Sequence, residues 1–120
     1  LNYIIDELSN FLNKKNKSLK NSKIMIVGLT YKAGVADMRN SLNFKIFKKI
    51  KKYNNKINGC DPFVEEKTKA SYGIYNKISK NIKYDVILFL SYHIFFKKIF
   101  KSIILSRNRN KVLDPFNYYS

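Results

Sequence analysis

The residues with the richest chemistry lie between Gly28 and Ser41. A hydroxyl, an aromatic ring and a cation follow Gly28 in the order Thr30, Tyr31, Lys32. Arg39 then stands two residues before Ser41, where a helix is predicted to begin. Because lysine, arginine and the free N–H groups of a helix N-terminus all favour negative charge, we expect this segment to bind a phosphate-bearing ligand.

Two common phosphate-binding motifs do not explain this segment. Its glycines, Gly28 and Gly34, do not fit a G-x-G-x-x-G turn, and no Gly-Lys-Ser/Thr ends it as in a P-loop. In a chain so rich in lysine, Lys32 considered alone would be solvated surface. Arg39, one of few arginines, fits two interpretations equally: an ion pair with Asp37, or a contact to phosphate or carboxylate.

The single cysteine and the single histidine do not form a catalytic pair in the sequence. We expect Cys60, at a strand end, to be a small buried residue, because no neighbouring base supports a nucleophile. We expect His93 to bond to its loop at the start of a helix. The sequence therefore predicts neither a catalytic residue nor a metal site, and a lone cysteine indicates a reducing, cytoplasmic compartment.

Composition limits the class of protein. The 120 residues are 45% hydrophobic, enough for one domain with a core, and carry a net charge of +16. The basic residues are nearly all lysine, which has A/T-rich codons, so part of this charge is attributable to compositional drift. We find no run long enough for a membrane span and no signal peptide, and we expect a piece of a longer polypeptide.

Short apolar runs alternate with helical patterns along the chain. Strands are predicted at 23–28, 56–60, 84–90 and 111–114, and helices at the beginning, from Ser41 to Tyr53 and from Ile94 to Ile104. Residues 63–80 are less decisive, with a helical turn or two and a segment near Ile74 that touches the sheet edge. This order predicts an α/β fold, a three-layer open parallel sheet. Ligands would then bind beyond the carboxyl ends of the strands, in residues 28–41, 60–64, 91–93 and 114–117.

One string of residues resembles a known signature. Residues 28–41, GLTYKAGVADMRNS, resemble the G-[LIF]-[AT]-[YF]-K-x4-D-x-R-x-S motif of the UDP-glucose/GDP-mannose dehydrogenase family, in its C-terminal, UDP-binding domain. Cys60-Asp61-Pro62 followed by Tyr72-Gly73-Ile74 resembles the pattern of members acting on UDP-N-acetylhexosamines. The strand from Tyr84 to the turn at His93, and Leu113-Asp114, also match in order.

The resemblance implies a Rossmann-like UDP-binding domain over residues 17–120, preceded at 1–16 by the end of a long interdomain helix. It implies NAD-dependent oxidation of a sugar C6 alcohol to a carboxylate in polysaccharide biosynthesis, through a cysteine of a central domain. Tyr31 and Lys32 match residues that contact the nucleotide sugar, and Arg39 matches one that reaches NAD. The NAD domain and the nucleophile lie outside these residues, so we expect the chain alone to be inactive and the full-length protein to be a homo-oligomer.

One departure and two alternatives accompany this interpretation. Phe116 stands near the position where many relatives place a cation after the last strand. A basic nucleic-acid-binding module would explain the charge, although the lysines are spread over every helix and no known motif is present, so we expect no nucleic-acid partner. A non-catalytic remnant that keeps only dimer contacts is the other alternative, and the missing cation is its best support.

Overall fold

A computed structural model describes residues 2–30, 41–79 and 81–119 of the chain. It contains helices α1 (Asn2–Asn13), α2 (Leu42–Tyr53), α3 (Glu66–Tyr72) and α4 (Ile94–Ile104), with a short 3-10 helix at Arg109–Lys111. The strands are β1 (Ile24–Val27), β2 (Asn58–Cys60), β3 (Ile74–Tyr75), β4 (Val86–Phe89) and β5 (Val112–Leu113).

The five strands form one parallel sheet in the order β3-β2-β1-β4-β5. This arrangement confirms the predicted α/β parallel sheet. The order reverses between β1 and β4, because the chain first builds outward to β3 and then returns to the other side of β1. A crevice for a ligand forms at such a switch point, beyond the carboxyl ends of the two strands.

Alternate residues of the central strands serve the two faces of the sheet. Ile24 and Ile26 of β1 face one hydrophobic cluster, whereas Met25 and Val27 face the other. Helices α1 and α2 cover the first face and α4 covers the second, which gives the three predicted layers. Strands β1 and β4 are apolar throughout because both of their faces are buried.

Helix α1 packs along the first face through one side. Ile4, Leu8 and Leu12 are fully buried there, and Phe11 packs partly against the same cluster. The predicted apolar side of this helix is therefore confirmed. Each such buried side chain contributes about 1.5–3 kcal/mol relative to exposure, so α1 is an integral layer of the domain.

The spacing of Leu42, Ile46, Ile50 and Tyr53 predicts the buried face of α2, and this prediction is partly wrong. Ile46 and Ile50 are buried as expected, but Leu42 and Tyr53 are about half exposed, and Phe44 and Phe47 are buried instead. The two phenylalanines lie between the positions of the predicted face. Their larger apolar area gains more from burial, and this sets the rotation of the helix about its axis.

Candidate functional site

The residues singled out for ligand binding, Tyr31, Lys32 and Arg39, lie in the range 31–40, outside the described residues. The structure does describe Thr30 and Ser41 on either side of that range. Both are buried at the carboxyl edge of the sheet. The contacts around these two residues therefore show how the described backbone on each side of residues 31–40 is held.

Asp61, directly after β2, holds the backbone that leaves β1. Its Oδ2 accepts hydrogen bonds from the backbone N–H groups of Leu29 at 2.8 Å and Thr30 at 2.9 Å, and from the Thr30 hydroxyl at 2.8 Å. Its Oδ1 accepts from the Phe63 N–H at 2.9 Å. The side chain is fully buried, so four hydrogen bonds replace the water that this carboxylate has lost.

Ser41 joins the far side of the segment to the same place. Its hydroxyl donates to the Leu29 carbonyl at 2.8 Å and accepts from the Phe44 N–H at 3.2 Å, which makes it the N-cap of α2 and confirms that prediction. Asn43 adds a hydrogen bond from its side-chain amide to the Gly28 carbonyl at 3.1 Å. The N-terminus of α2 is thereby fixed against the end of β1.

Gly28 allows β1 and β4 to meet closely at the switch point. Its φ is +91°, and a Cβ placed on it would lie 2.3 Å from the Ser91 Oγ. Ser91, which follows β4, donates from that hydroxyl to the Thr30 carbonyl at 3.1 Å. A side chain at position 28 would disrupt this contact, so glycine is required here by both space and backbone conformation.

We call Asp61, Ser41, Asn43 and Ser91 the strand-end network. These four buried side chains come from three separate parts of the chain and all bond to the backbone of Gly28–Thr30. They hold that backbone beside the positive end of the α2 dipole. The N–H groups of Leu29 and Thr30 donate to Asp61, so the network fixes this backbone and does not itself supply those donors to a ligand.

Cys60 and His93 have the structural roles that the sequence predicts. Burial, together with the adjacent negative charge of Asp61, raises the pKa of the Cys60 thiol to about 12, so no useful fraction of thiolate exists near neutral pH. His93 caps α4, its Nδ1 accepting from the Phe95 N–H at 3.0 Å. Within the described residues, no group of three or more His, Cys, Asp or Glu could hold a metal ion.

The turn after β5 closes the other end of this edge. The Asp114 carboxylate accepts from the backbone N–H groups of Tyr118 at 3.1 Å and Tyr119 at 2.8 Å. The Tyr119 hydroxyl donates to the Ser91 carbonyl and accepts from the His93 N–H at 3.2 Å. Ser91 therefore connects this turn to the backbone that leaves β1.

The sequence placed Asp61 and Ser91 in strand-end segments expected to bind a ligand, but it did not predict that both hold the backbone of residues 28–30. Asn43, on the predicted helix, was not identified as a site residue. For Asn43 and Ser91 the partners are distant in sequence, and no local pattern indicates them.

Comparison with known proteins defines the class. The model of the UDP-glucose/GDP-mannose dehydrogenase family, UDP binding domain, matches residues 25–120. The chain belongs to this family and comprises its UDP binding domain, which confirms the resemblance carried by the 28–41 signature.

Individual relatives are nucleotide-sugar dehydrogenases. The chain is 30% identical over 120 residues to the UDP-N-acetyl-D-glucosamine 6-dehydrogenase of Salmonella typhi, covering 98% of the chain and 28% of that relative. It is 27% identical over 73 residues to the enzyme of the same name from Pseudomonas aeruginosa, covering 60% of the chain and 17% of that relative. Its structure is similar to a solved UDP-D-ManNAc dehydrogenase from Pyrococcus horikoshii, with a TM-score of 0.69, 26% identity and coverage of 97% of the chain and 27% of that protein. The chain thus spans less than a third of each relative.

Gly28 does not belong to a G-x-G-x-x-G dinucleotide-binding turn. In a dinucleotide-binding turn, glycine lets the cofactor pyrophosphate approach the backbone at the end of the first strand. Here the space beside Gly28 is occupied by Ser91.

Among the described residues, none of the helices has the length and apolar character that crossing a membrane requires.

Proposed function

We propose that this chain binds the UDP moiety of a UDP-N-acetylhexosamine, as the C-terminal domain of an NAD-dependent nucleotide-sugar 6-dehydrogenase. The family match and the names of the two curated relatives support the class of enzyme and this class of sugar. The full-length protein would be a cytoplasmic homo-oligomer that supplies uronates for polysaccharide biosynthesis. NAD and the catalytic cysteine would be held by preceding domains.

The observation that carries this proposal is the strand-end network. Buried hydrogen bonds hold Leu29 and Thr30 on one side of residues 31–40 and Ser41 on the other. The ligand site proposed for residues 31–40 is thus flanked by backbone that is already ordered, so these flanks lose little entropy when a ligand binds. In the proposed complex, Lys32 pairs with the pyrophosphate, Tyr31 contacts the nucleotide sugar, and Arg39 extends toward NAD.

The described part of the chain contributes binding and orientation to the proposed reaction. Oxidation of the C6 alcohol to a carboxylate removes four electrons and requires a nucleophile to hold the intermediate aldehyde. Cys60 cannot serve, since its thiol is buried and protonated near neutral pH. The nucleophile of the proposed enzyme therefore comes from another domain, and this domain fixes the nucleotide so that the sugar meets it.

The test is calorimetric titration of the chain with UDP and with UDP-N-acetylglucosamine at about 0.15 M salt, where charges more than roughly 8 Å apart are screened. We expect saturable binding that Lys32→Ala abolishes. Lys45→Ala is the matched control, because Lys45 is an exposed lysine on α2, and this change should leave binding intact. A random RNA oligomer is titrated in parallel, and RNA binding without UDP binding would replace this proposal with the basic-module alternative.

A further inference from the structure

Three aromatic rings lie in a row at the carboxyl edge of the sheet without being buried. Tyr92, Phe116 and Tyr118 are 48%, 46% and 44% exposed, whereas Phe89 and Phe96 nearby are buried. The Phe116 and Tyr118 centroids are 5.6 Å apart and those of Tyr118 and Tyr92 are 6.4 Å apart. We call these three residues the aromatic row.

The turn after β5, which carries Phe116 and Tyr118 of the aromatic row, is held by hydrogen bonds and by stacked rings. Asp114 accepts hydrogen bonds from the N–H groups of Tyr118 and Tyr119. The Tyr119 ring is stacked on Tyr92 and on Phe100, with centroids 5.4 and 5.5 Å apart and planes within 23° of parallel. Phe116 also contacts the Tyr3 ring of α1, with centroids 6.0 Å apart. These contacts reduce the side-chain freedom that the rings would lose on binding a ligand.

Tyr119, which stacks on Tyr92 of the aromatic row, connects the row to the strand-end network through two hydrogen bonds. The Tyr119 hydroxyl donates to the Ser91 carbonyl, and the Ser91 hydroxyl donates to the Thr30 carbonyl. Thr30 directly precedes the segment with the signature. The row therefore lies on the β4–β5 side of the crevice whose β1 side would hold the phosphates.

The composition of the turn indicates what it can bind. Residues 114–117 contain one acid and no cation, so a phosphate group is not favoured here. Aromatic faces do bind flat, uncharged rings, and stacking of a nucleotide base on such a side chain is worth about 1–3 kcal/mol. Phe116 therefore offers the turn an apolar stacking surface that is 46% exposed.

We propose that the aromatic row binds the uracil base of the nucleotide, which stacks on Phe116 with its edge against Tyr118. This inference rests on the proposed function, since it assigns the base of the same ligand. It predicts that Phe116 contributes to affinity for ligands that contain the base and not for the phosphates alone.

The experiment compares UDP with inorganic pyrophosphate by calorimetry on the unmutated chain, Phe116→Ala and Phe116→Tyr. We expect Phe116→Ala to weaken UDP binding by about tenfold, leaving pyrophosphate binding unchanged, and Phe116→Tyr to keep the affinity. Since the chain has no tryptophan, UDP but not pyrophosphate should quench its tyrosine fluorescence, and Tyr118→Ala should reduce that quenching.

Tyr53→Ala is the matched control, because Tyr53 is 54% exposed on α2 and lies outside the row. UDP binding that Phe116→Ala leaves unchanged, or an equal loss for UDP and pyrophosphate, would overturn the stacking site alone. No UDP binding by the unmutated chain would overturn the proposed function together with it. Circular dichroism and thermal unfolding confirm that each variant is folded.

Discussion

The backbone that leaves β1 and the turn that leaves β5 lie at the same edge of the sheet but are stabilised in different ways. The first is buried and held by polar side chains, with Asp61 alone accepting four hydrogen bonds. The second is half exposed and held largely by stacked rings, with Tyr119 between Tyr92 and Phe100.

In the proposed complex, the two regions would make the two kinds of contact that a nucleotide needs. Charged phosphates require donors in fixed directions, and the strand-end network fixes the backbone on both sides of the signature segment. A base requires only a flat apolar face, which an exposed ring provides without exact direction. If this comparison is right, substitutions in the network should cost far more stability than substitutions in the turn.

The largest effect is expected for Asp61→Ala. This change leaves the buried N–H groups of Leu29 and Thr30 without acceptors, and we expect the free energy of unfolding to fall by about 3 kcal/mol. Asp61→Asn keeps one acceptor oxygen and should lose about half as much. Urea unfolding followed by circular dichroism measures both, and a loss below about 1 kcal/mol for Asp61→Ala would contradict the central role given to this carboxylate.

Gly28→Ala should have the next largest effect, about 2 kcal/mol, because its φ is +91° and the new Cβ meets the Ser91 Oγ at 2.3 Å. Gly73→Ala is the control. It also has a positive φ, +68°, but its nearest contact is the Asn58 side-chain amide at 3.0 Å, so about 1 kcal/mol is expected. If Gly28→Ala and Gly73→Ala lower the free energy of unfolding equally in urea, the backbone conformation, and not the contact with Ser91 after β4, explains the need for Gly28.

The smallest effect is expected for Tyr119→Phe, about 1 kcal/mol from the hydrogen bonds of the hydroxyl. Burial raises the pKa of Tyr119 to about 12, above the ordinary tyrosine value of 10. The proton is held more tightly in the folded state, so the stabilisation is complete below about pH 10 and is lost as the pH rises toward 12. Thermal unfolding between pH 8 and 12 should show a shallower decline for Tyr119→Phe, and an unchanged slope would contradict this assignment.

Much of the fold was predictable because its signals are local. The apolar run before Gly28 identifies a doubly buried strand, and Ser41 before a periodic segment identifies a helix N-cap, as the structure confirms. The short α3 and the edge strand at Ile74 were also anticipated. The buried face of α2 was predicted only in part, since Leu42 and Tyr53 fit a helical period as well as the phenylalanines that are buried.

The candidate site was less predictable than the fold. The signature indicated the family, and the assignments of Tyr31, Lys32 and Arg39 remain predictions because these residues lie outside the described ranges. The importance of Asp61 and Ser91 depends on partners about 30 and 61 positions away. No local pattern in the sequence specifies contacts over such separations.

Local signals in the sequence were enough to predict the layers, the class of fold and the family, because periodicity, capping and a contiguous motif all operate over a few neighbouring residues. The side chains that meet at the carboxyl edge could be identified only from the folded chain. Parallel strands in the order β3-β2-β1-β4-β5 bring the residues after β1, β2, β4 and β5 to one place. Burial there leaves Asp61 no water to bond, so the backbone of its neighbours becomes its partner.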